Sequence, residues 1–156
     1  DRPVTAVCRH AWRSLTVNER GAVTSEPVTW LAVKRVGAAC AIGNPDAFLA
    51  QVRAASRGVV GAVVLPDHDP YGQAALGRVA DLVHVHGAEA IVVTSKDWSK
   101  LSRVRGLPEL APIVVPELGL VFDRGGTDLR EQVLRAAAVA KVRAEDDEAF
   151  INASGG

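Results

Sequence analysis

The chain has 156 residues, of which 48% are hydrophobic, 4% aromatic and 23% charged, and its 18 basic residues balance its 18 acidic ones. This length is typical of one full-sized domain and is too short for two. A zero formal charge argues against a protein that attracts nucleic acid or anionic membranes over long distances. No run approaches the ~18 apolar residues of a membrane-spanning helix. Cys8 and Cys40 fit no zinc or redox spacing, which favours reduced thiols in a cytosolic protein.

The first 35 residues differ in pattern from the rest and are predicted to form an arm or linker ribbon. Val4 to Cys8 and Val28 to Val33 have the apolar character of strands, and a short helix is predicted near Ala11 to Leu15. The turn-rich segment from Asn18 to Ser25 is predicted to connect them.

From residue 36 onward, short apolar runs alternate with segments of helical periodicity. The runs are rich in valine and isoleucine and do not alternate with polar residues, which is typical of strands buried on both faces. The predicted strands are Val36 to Ile42, Val59 to Leu65, Ala90 to Val93 and Ile113 to Val115. The predicted helices are Pro45 to Ser56, Gln73 to His86 and Asp128 to Arg143.

This alternation predicts an α/β protein. Residues 36–144 are expected to form a three-layer Rossmann-like domain with a mainly parallel sheet of about four strands and helices on both faces. The N-terminal arm, residues 1–35, adds further strands to this domain, and the acidic segment 145–156 is predicted to be a flexible tail.

Polar clusters follow the first three predicted strands of this domain, at residues 43–45, 67–69 and 94–97. The carboxyl ends of parallel strands meet at one edge of a sheet, where ligands bind. Each cluster alone is compatible with ordinary turn and capping chemistry. Together, with His68 flanked by Asp67 and Asp69, they predict a functional site. Two neighbouring carboxylates favour a protonated imidazole, and a histidine here can orient or tune a third acid across the cleft.

Metal binding is an alternative interpretation of Asp67 and Asp69. Alternate residues of an extended segment face the same way, so this pair suits the oxygen coordination of Mg²⁺. The segment "DHDPYG" resembles the D-x-D-P-Y-G segment of Toprim domains, but residues 41–44 lack the glutamate that this family has after an earlier strand. A Toprim-like Mg²⁺-dependent nuclease therefore stays a third hypothesis. No metal ligand is assigned, and His84 and His86, two apart on a helix, point to different faces.

Three motifs in chain order resemble the C-terminal part of the tetraacyldisaccharide 4'-kinase family, the lipid A 4'-kinases. They are "AIGNPDAFLAQV" at 41–52, "LPDHDPY" at 65–71 and "VVTSKDWSKL" at 92–101. The corresponding family patterns are G-I-G-x-P-x-x-F-x-x-x-L, D-H-x-x-Y and T-x-K-D-x-x-K-L. This chain departs from the first pattern at Val52, which stands in place of leucine, and Pro70 stiffens the loop in the second. The resemblance covers residues 30–140, approximately.

The resemblance implies an ATP-dependent lipid kinase that transfers the γ-phosphoryl group of ATP to the 4'-hydroxyl of tetraacyldisaccharide 1-phosphate in lipid A biosynthesis. It implies ATP and Mg²⁺ as cofactors, bound mainly by an N-terminal P-loop domain. The partners would be that domain, the lipid disaccharide and a peripherally contacted membrane, with no nucleic acid. The implied location is the cytoplasmic face of the bacterial inner membrane.

The resemblance also implies roles for particular residues. His68 would assist the catalytic aspartate of the N-terminal domain as a general base. Asp67 is expected near the nucleotide, and Lys96 and Asp97 are further candidates for cofactor binding.

The sequence contains neither methionine nor the phosphate-binding motif G-x-x-x-x-G-K-[ST]. Phosphoryl transfer depends on positioning and charge neutralisation by that motif. The chain is therefore predicted to be the C-terminal part of the kinase, inactive alone, with its P-loop domain missing. The alternative from a different class is a stand-alone Rossmann-like module that binds a nucleotide or a phosphosugar.

Overall fold

The computed structural model describes residues 5–104 and 107–154. The chain divides into two compact units, one formed by Trp12–Gly119 and the other by Asp1–Ala11 with Leu120–Gly156. The strands are β1 (Val7–Glu19), β2 (Ala22–Glu26), β3 (Arg35–Cys40), β4 (Gly58–Val64), β5 (Ala90–Val93) and β6 (Ile113–Arg124). The helices are α1 (Pro45–Ala55), α2 (Gln73–His84), α3 (Ser95–Leu101), α4 (Leu107–Leu110) and α5 (Gly126–Ser154), and a 3-10 helix spans Val28–Leu31.

The strands form a mixed sheet in the order β2-β1-β6-β5-β3-β4. β3 pairs in parallel with β4 and with β5, and β5 pairs in parallel with β6. These four strands are the predicted ones, which confirms a mainly parallel sheet. The N-terminal segment adds β2, which is antiparallel to β1, so that the described sheet has six strands.

Apolar layers cover both faces of the sheet within Trp12–Gly119. In β5, Ile91 and Val93 pack into one buried cluster, together with Val79 and Leu82 of α2. Ala90 and Val92 of the same strand pack into the other cluster, together with Val52 of α1. Both clusters exist because a strand's side chains alternate between faces and every residue of β5 is buried. The three-layer Rossmann-like architecture is confirmed.

Helix α1 begins as its sequence predicts. The Asn44 side chain accepts a hydrogen bond from the Ala47 N–H at 3.3 Å, and Pro45 occupies the first turn, where it has no intrahelical donor to lose. Asp46 places a negative charge at the positive end of the helix dipole. The cap directs the chain from the carboxyl end of β3 into the helix.

The N-terminal segment differs from its prediction in two places. The residues predicted as a helix, Ala11 to Leu15, belong to strand β1, because Leu15 and Val17 are buried while Thr16 between them is only partly so. The residues predicted as a strand, Val28 to Val33, begin with a 3-10 helix. Val4, where the first predicted strand begins, lies outside the described residues.

The predicted connection from Asn18 to Ser25 is shorter than expected. Arg20 and Gly21 have φ values of 46° and 81°, and they join β1 to β2 in a tight hairpin whose register pairs Glu19 with Ala22. A two-residue turn with both φ values positive matches the twist of antiparallel strands. The interpretation of residues 1–35 as a linker ribbon of a larger protein stays a prediction.

The unit formed by Asp1–Ala11 and Leu120–Gly156 contains the start of β1, the end of β6 and the long helix α5. Arg9 Nε donates to Asp123 Oδ1 at 3.1 Å across these strand ends. Helix α5 follows Gly125, which has a φ of 70°, and continues through Ser154, so it includes residues 145–154 of the predicted tail. Gly155 and Gly156 lie outside the described residues. In the described part of the chain, no helix is both long and apolar enough to cross a membrane.

Candidate functional site

The candidate site is the loop of residues 65–72, which leads from the carboxyl end of β4 into α2, together with helix α3. Since β3, β4 and β5 are parallel, their carboxyl ends lie on one edge of the sheet. Helix α3 starts directly after β5, and its side chains contact the loop that follows β4. Two of the three predicted polar clusters therefore meet.

His68 lies at the centre of this loop in an unusual backbone conformation. Its φ is 66°, in the left-handed region that few residues other than glycine adopt. The His68 N–H donates to Asp67 Oδ1 at 3.0 Å and to the Ala41 carbonyl, beyond β3, at 3.4 Å. The Asp69 N–H closes a turn onto the Pro66 carbonyl at 3.1 Å. These contacts hold an energetically costly conformation, and the imidazole is 74% exposed.

Lys96, in the first turn of α3, joins Asp67 and His68. Its Nζ lies 3.1 Å from Asp67 Oδ1 and 3.4 Å from His68 Nε2. The hydrogen bond from Lys96 holds the pKa of the Asp67 carboxyl below its usual range, against partial desolvation and with help from the neighbouring His68. Asp67 is therefore ionised at neutral pH. The structure brings these three predicted site residues together.

The contact with Lys96 favours one tautomer of the neutral imidazole. An ammonium group has only donors, so a neutral ring that accepts a hydrogen bond from Lys96 does so through Nε2 and carries its proton on Nδ1. Asp67 Oδ2 lies 3.8 Å from Nε2, and the expectation of a protonated ring stays a prediction. Nδ1–H is left as a donor for a group outside this contact.

Asp69 binds different partners from Asp67 and stabilises the loop. Its Oδ1 accepts from the Tyr71 N–H at 2.8 Å, and its carbonyl accepts from Lys100 Nζ at 2.6 Å. The carboxylates of Asp67 and Asp69 thus bind different partners. Across the described residues, no three His, Cys, Asp or Glu side chains are grouped so that they could hold a metal ion.

Tyr71 closes the loop from within the protein. Its φ is 60° and its side chain is 3% exposed, packed into the same core cluster as Val63 and Leu65. Burial, followed by the charge of Asp97, raises the pKa of the phenol far above its usual range. The phenol lies near enough to Asp97 for a weak hydrogen bond to add to the rise in its pKa, but among the described residues its oxygen has no partner at ordinary hydrogen-bond geometry.

Asp97 occupies a different place from the one expected of a cofactor-binding residue. Its side chain is fully buried, and its Oδ1 accepts from the Ala41 N–H at 3.1 Å. Its Oδ2 accepts from the Thr94 hydroxyl at 2.6 Å, and Thr94 Oγ1 in turn accepts from the Asp97 N–H at 3.2 Å. Both carboxylate oxygens accept hydrogen bonds inside the protein, and the expected role of Asp97 in cofactor binding stays a prediction. Burial and then the charge of Asp97 raise the pKa of Cys40 to about 11.

Asn44 agrees with its predicted role as a helix cap, whereas Lys100 is a contact that the sequence-based prediction did not include. Asn44 caps α1 and does not join the contacts between the loop and α3. Lys100, which was not among the predicted site residues, binds the Asp69 carbonyl, and its Nζ lies 5.9 Å from the centre of the Tyr71 ring. Its position four residues after Lys96 on a helix is the signal that places both amines on one face.

The chain matches one family over most of its length. The family model for tetraacyldisaccharide-1-P 4'-kinase matches residues 3–138. The tetraacyldisaccharide 4'-kinase of Bordetella petrii is 37% identical over 112 residues, which cover 72% of this chain and 29% of the relative. That of a Bradyrhizobium species is 31% identical over 118 residues, which cover 76% of this chain and 34% of the relative.

A solved structure has the same fold. The crystal structure of the "apo" form of LpxK from Aquifex aeolicus in complex with ATP aligns with a TM-score of 0.51 and 19% identity, over 82% of this chain and 35% of that one. This chain thus spans about a third or less of the length of the relatives that it matches. From the family match, supported by the relatives and the shared fold, the chain belongs to the tetraacyldisaccharide-1-P 4'-kinase family.

Proposed function

We propose that this chain is the C-terminal part of a kinase that transfers the γ-phosphoryl group of ATP to the 4'-hydroxyl of tetraacyldisaccharide 1-phosphate. In this proposal His68 assists a catalytic aspartate of an N-terminal P-loop domain. Family membership supports the reaction. The observation that carries the role of His68 is its exposed imidazole, held at the carboxyl edge of the sheet by Lys96.

The residues at this edge fit a supporting role toward ATP and Mg²⁺. ATP supplies the phosphoryl group when it is bound. Lys96 would contribute positive charge toward its phosphates, and Asp67 would contribute carboxylate oxygen near the nucleotide and its metal ion. Asp67 and Lys96 already lie 3.1 Å apart and partly neutralise each other, so the main phosphate and Mg²⁺ ligands are proposed to belong to the P-loop domain.

His68 would act through its Nδ1 proton. With Nε2 accepting from Lys96, Nδ1–H is free to donate to the carboxylate of the catalytic aspartate. That hydrogen bond would orient the carboxylate and favour its ionised form, which accepts the proton of the attacking 4'-hydroxyl. Lys96 restrains the ring, and the hydrogen bond from the His68 N–H to the Ala41 carbonyl restrains the backbone that carries it.

The setting of the reaction follows from the substrate. A tetraacyl disaccharide is membrane-embedded, so the whole enzyme is proposed to work peripherally at the cytoplasmic face of the bacterial inner membrane, without nucleic acid. Residues 1–35 are proposed to belong to the ribbon that joins the two domains. Because this chain spans only 29% of the Bordetella petrii relative, the phosphate cradle is proposed to lie in the rest of the enzyme.

The test is a chimera in which this chain replaces the matching segment of the Bordetella petrii relative. Transfer of labelled phosphate from ATP to tetraacyldisaccharide 1-phosphate is measured for the chimera and for its His68→Ala variant. Loss of an acid–base assistant predicts a fall in kcat of about 10²-fold or more. His84→Ala and His86→Ala are the matched controls, since both side chains are exposed at or just beyond the end of α2, and they should leave kcat unchanged.

An unchanged kcat in the His68→Ala chimera would reject the assignment. The isolated chain should show no phosphate transfer with ATP, Mg²⁺ and the lipid. Micromolar binding of ATP to the isolated chain in a calorimetric titration would favour the alternative, a stand-alone module that binds a nucleotide.

A further inference from the structure

We propose that Asp97 is a positioning residue for His68, which acts through the Ala41 backbone and through the placement of helix α3. Its effect on the rate rests on the proposed function. Its effect on the geometry of His68 does not, and can be measured separately.

The first connection runs through the residue that follows β3. Asp97 Oδ1 accepts from the Ala41 N–H at 3.1 Å, and the Ala41 carbonyl accepts from the His68 N–H at 3.4 Å. Ala41 is fully buried, so water cannot readily replace the Asp97 oxygen if it is removed. A shift of Ala41 would move the acceptor that helps to hold His68 at its positive φ.

The second connection runs through the first turn of α3. Thr94 and Asp97 cap each other, with the Thr94 hydroxyl donating to Asp97 Oδ2 and the Asp97 N–H donating to Thr94 Oγ1. Lys96 lies inside this capped turn, where it reaches Asp67 and His68. The cap therefore sets the position from which the amine binds the imidazole.

The energetics of Asp97 favour a geometric role over a stabilising one. Its carboxylate is fully buried, and the donors to its oxygens, an amide and a hydroxyl, are neutral. A buried charge served by neutral donors contributes little net stability, because desolvation offsets the hydrogen bonds. Its charge affects its surroundings, since burial and then the charge of Asp97 raise the pKa of Cys40 and of Tyr71.

The structural test uses the isolated chain and the ¹⁵N chemical shifts of the histidine rings, with the His68 signals assigned through His68→Gln. The unchanged chain should show His68 with its proton on Nδ1. Asp97→Ala should produce a mixture of the two tautomers. Asp97→Asn should retain the Nδ1–H form, because an asparagine oxygen can accept from Ala41 while its amide donates to Thr94 Oγ1. Asp81→Ala, at an exposed position on α2, is the control and should change nothing.

The kinetic test uses the chimera with the Bordetella petrii relative. Asp97→Ala should lower kcat about 10-fold or more with little change in the KM for ATP or for the lipid. The reason is that the substitution misplaces a catalytic partner and not a substrate contact. Asp97→Asn should restore most of the rate. In the background of His68→Ala, the further change Asp97→Ala should cost almost nothing, since Asp97 acts through His68.

Three results would overturn the proposal. They are a folded Asp97→Ala chain with an unchanged His68 tautomer, an Asp97→Asn variant as impaired as Asp97→Ala, and full additivity of the His68 and Asp97 losses.

If Asp97→Ala does not fold, Thr94→Val decides instead, because it removes the donor to Oδ2. Under the proposal, Thr94→Val should produce a mixture of His68 tautomers. An unchanged ¹⁵N spectrum of the His68 ring would contradict the proposal. A tautomer change without any kinetic effect of His68→Ala would leave the positioning intact and reject the proposed function alone.

Discussion

Gly37 in the middle of the sheet and His68 at its carboxyl edge are both tightly constrained, but by different forces. A Cβ at Gly37 would lie 2.7 Å from Ile91 Cδ1 and 2.9 Å from Leu82 Cδ1, so close packing constrains it. His68 is constrained by hydrogen bonds around an exposed ring. Packing losses appear in the free energy of unfolding, whereas exposed polar contacts change it little. Mutations in these two regions should therefore separate stability from activity.

The largest effect is expected at Gly37. Gly37→Ala would push its Cβ into Leu82 and Ile91 and should lower the free energy of unfolding by about 1–3 kcal/mol, measured by urea denaturation. Gly77→Ala is the matched control, because it lies within α2 and a Cβ there would meet nothing within 4 Å. It should raise stability by roughly 0.5–1 kcal/mol. Equal effects at the two glycines would show that packing does not distinguish them.

A smaller effect is expected at Lys96. Lys96→Ala removes the hydrogen bond that lowers the pKa of Asp67, so this pKa should rise toward its ordinary value of 3.8. A lowered carboxyl pKa contributes stability that is present above the unfolded value and is lost as the pH falls through the folded value. The free energy of unfolding of Lys96→Ala should therefore depend less on pH in the acid range than that of the unchanged chain. At pH 7 the two free energies should differ little. Carboxyl ¹³C shifts across a pH titration measure it.

The control for that titration is Lys34→Ala. Lys34 Nζ lies 4.2 Å from the centre of the Trp30 ring and has no contact with Asp67 among those described. It should leave the pKa of Asp67 unchanged. An Asp67 pKa that does not move in Lys96→Ala would mean that the pair does not form in solution.

The smallest effect is expected at Tyr71. Its buried phenol oxygen has no partner at ordinary hydrogen-bond geometry among the described residues, so Tyr71→Phe removes at most a weak interaction with Asp97. The free energy of unfolding should stay unchanged or rise by up to about 1 kcal/mol. Urea denaturation measures it. A loss of stability would instead indicate that the hydroxyl binds a partner in solution, which would place Tyr71 among the polar contacts of the site.

Strand β5 and helix α1 show which parts of the fold can be predicted from the sequence. β5 was predicted with its observed bounds, Ala90 to Val93, because an uninterrupted Val/Ile run suits a strand buried on both faces. α1 was predicted to within one residue, because Asn44 and Pro45 specify its start by local chemistry. In both cases the predictive signal lies in residues close together in the sequence.

Strands β1 and β6 were harder to predict. β6 was expected to end at Val115 but continues to Arg124, through Pro116 and Gly119, which usually interrupt a strand pattern. Its neighbour β1 was predicted in part as a helix. In the Trp12–Gly119 unit, Ser14 and Thr16 of β1 donate to Glu117 of β6 at 3.2 and 3.1 Å. Such pairing joins residues a hundred positions apart, and no local pattern contains it.

The sequence by itself determined the alternation of strands and helices, the edge at which polar residues gather, and the motifs that mark the family. It also placed Asp67, His68 and Lys96 in one site, since residues that follow neighbouring parallel strands meet at one edge. Only the tertiary structure decided that Lys96 is exposed while Asp97 beside it is fully buried, and that His68 adopts a positive φ. These features depend on where α3 packs and on the Ala41 backbone that it meets, and such long-range contacts form only in the folded chain.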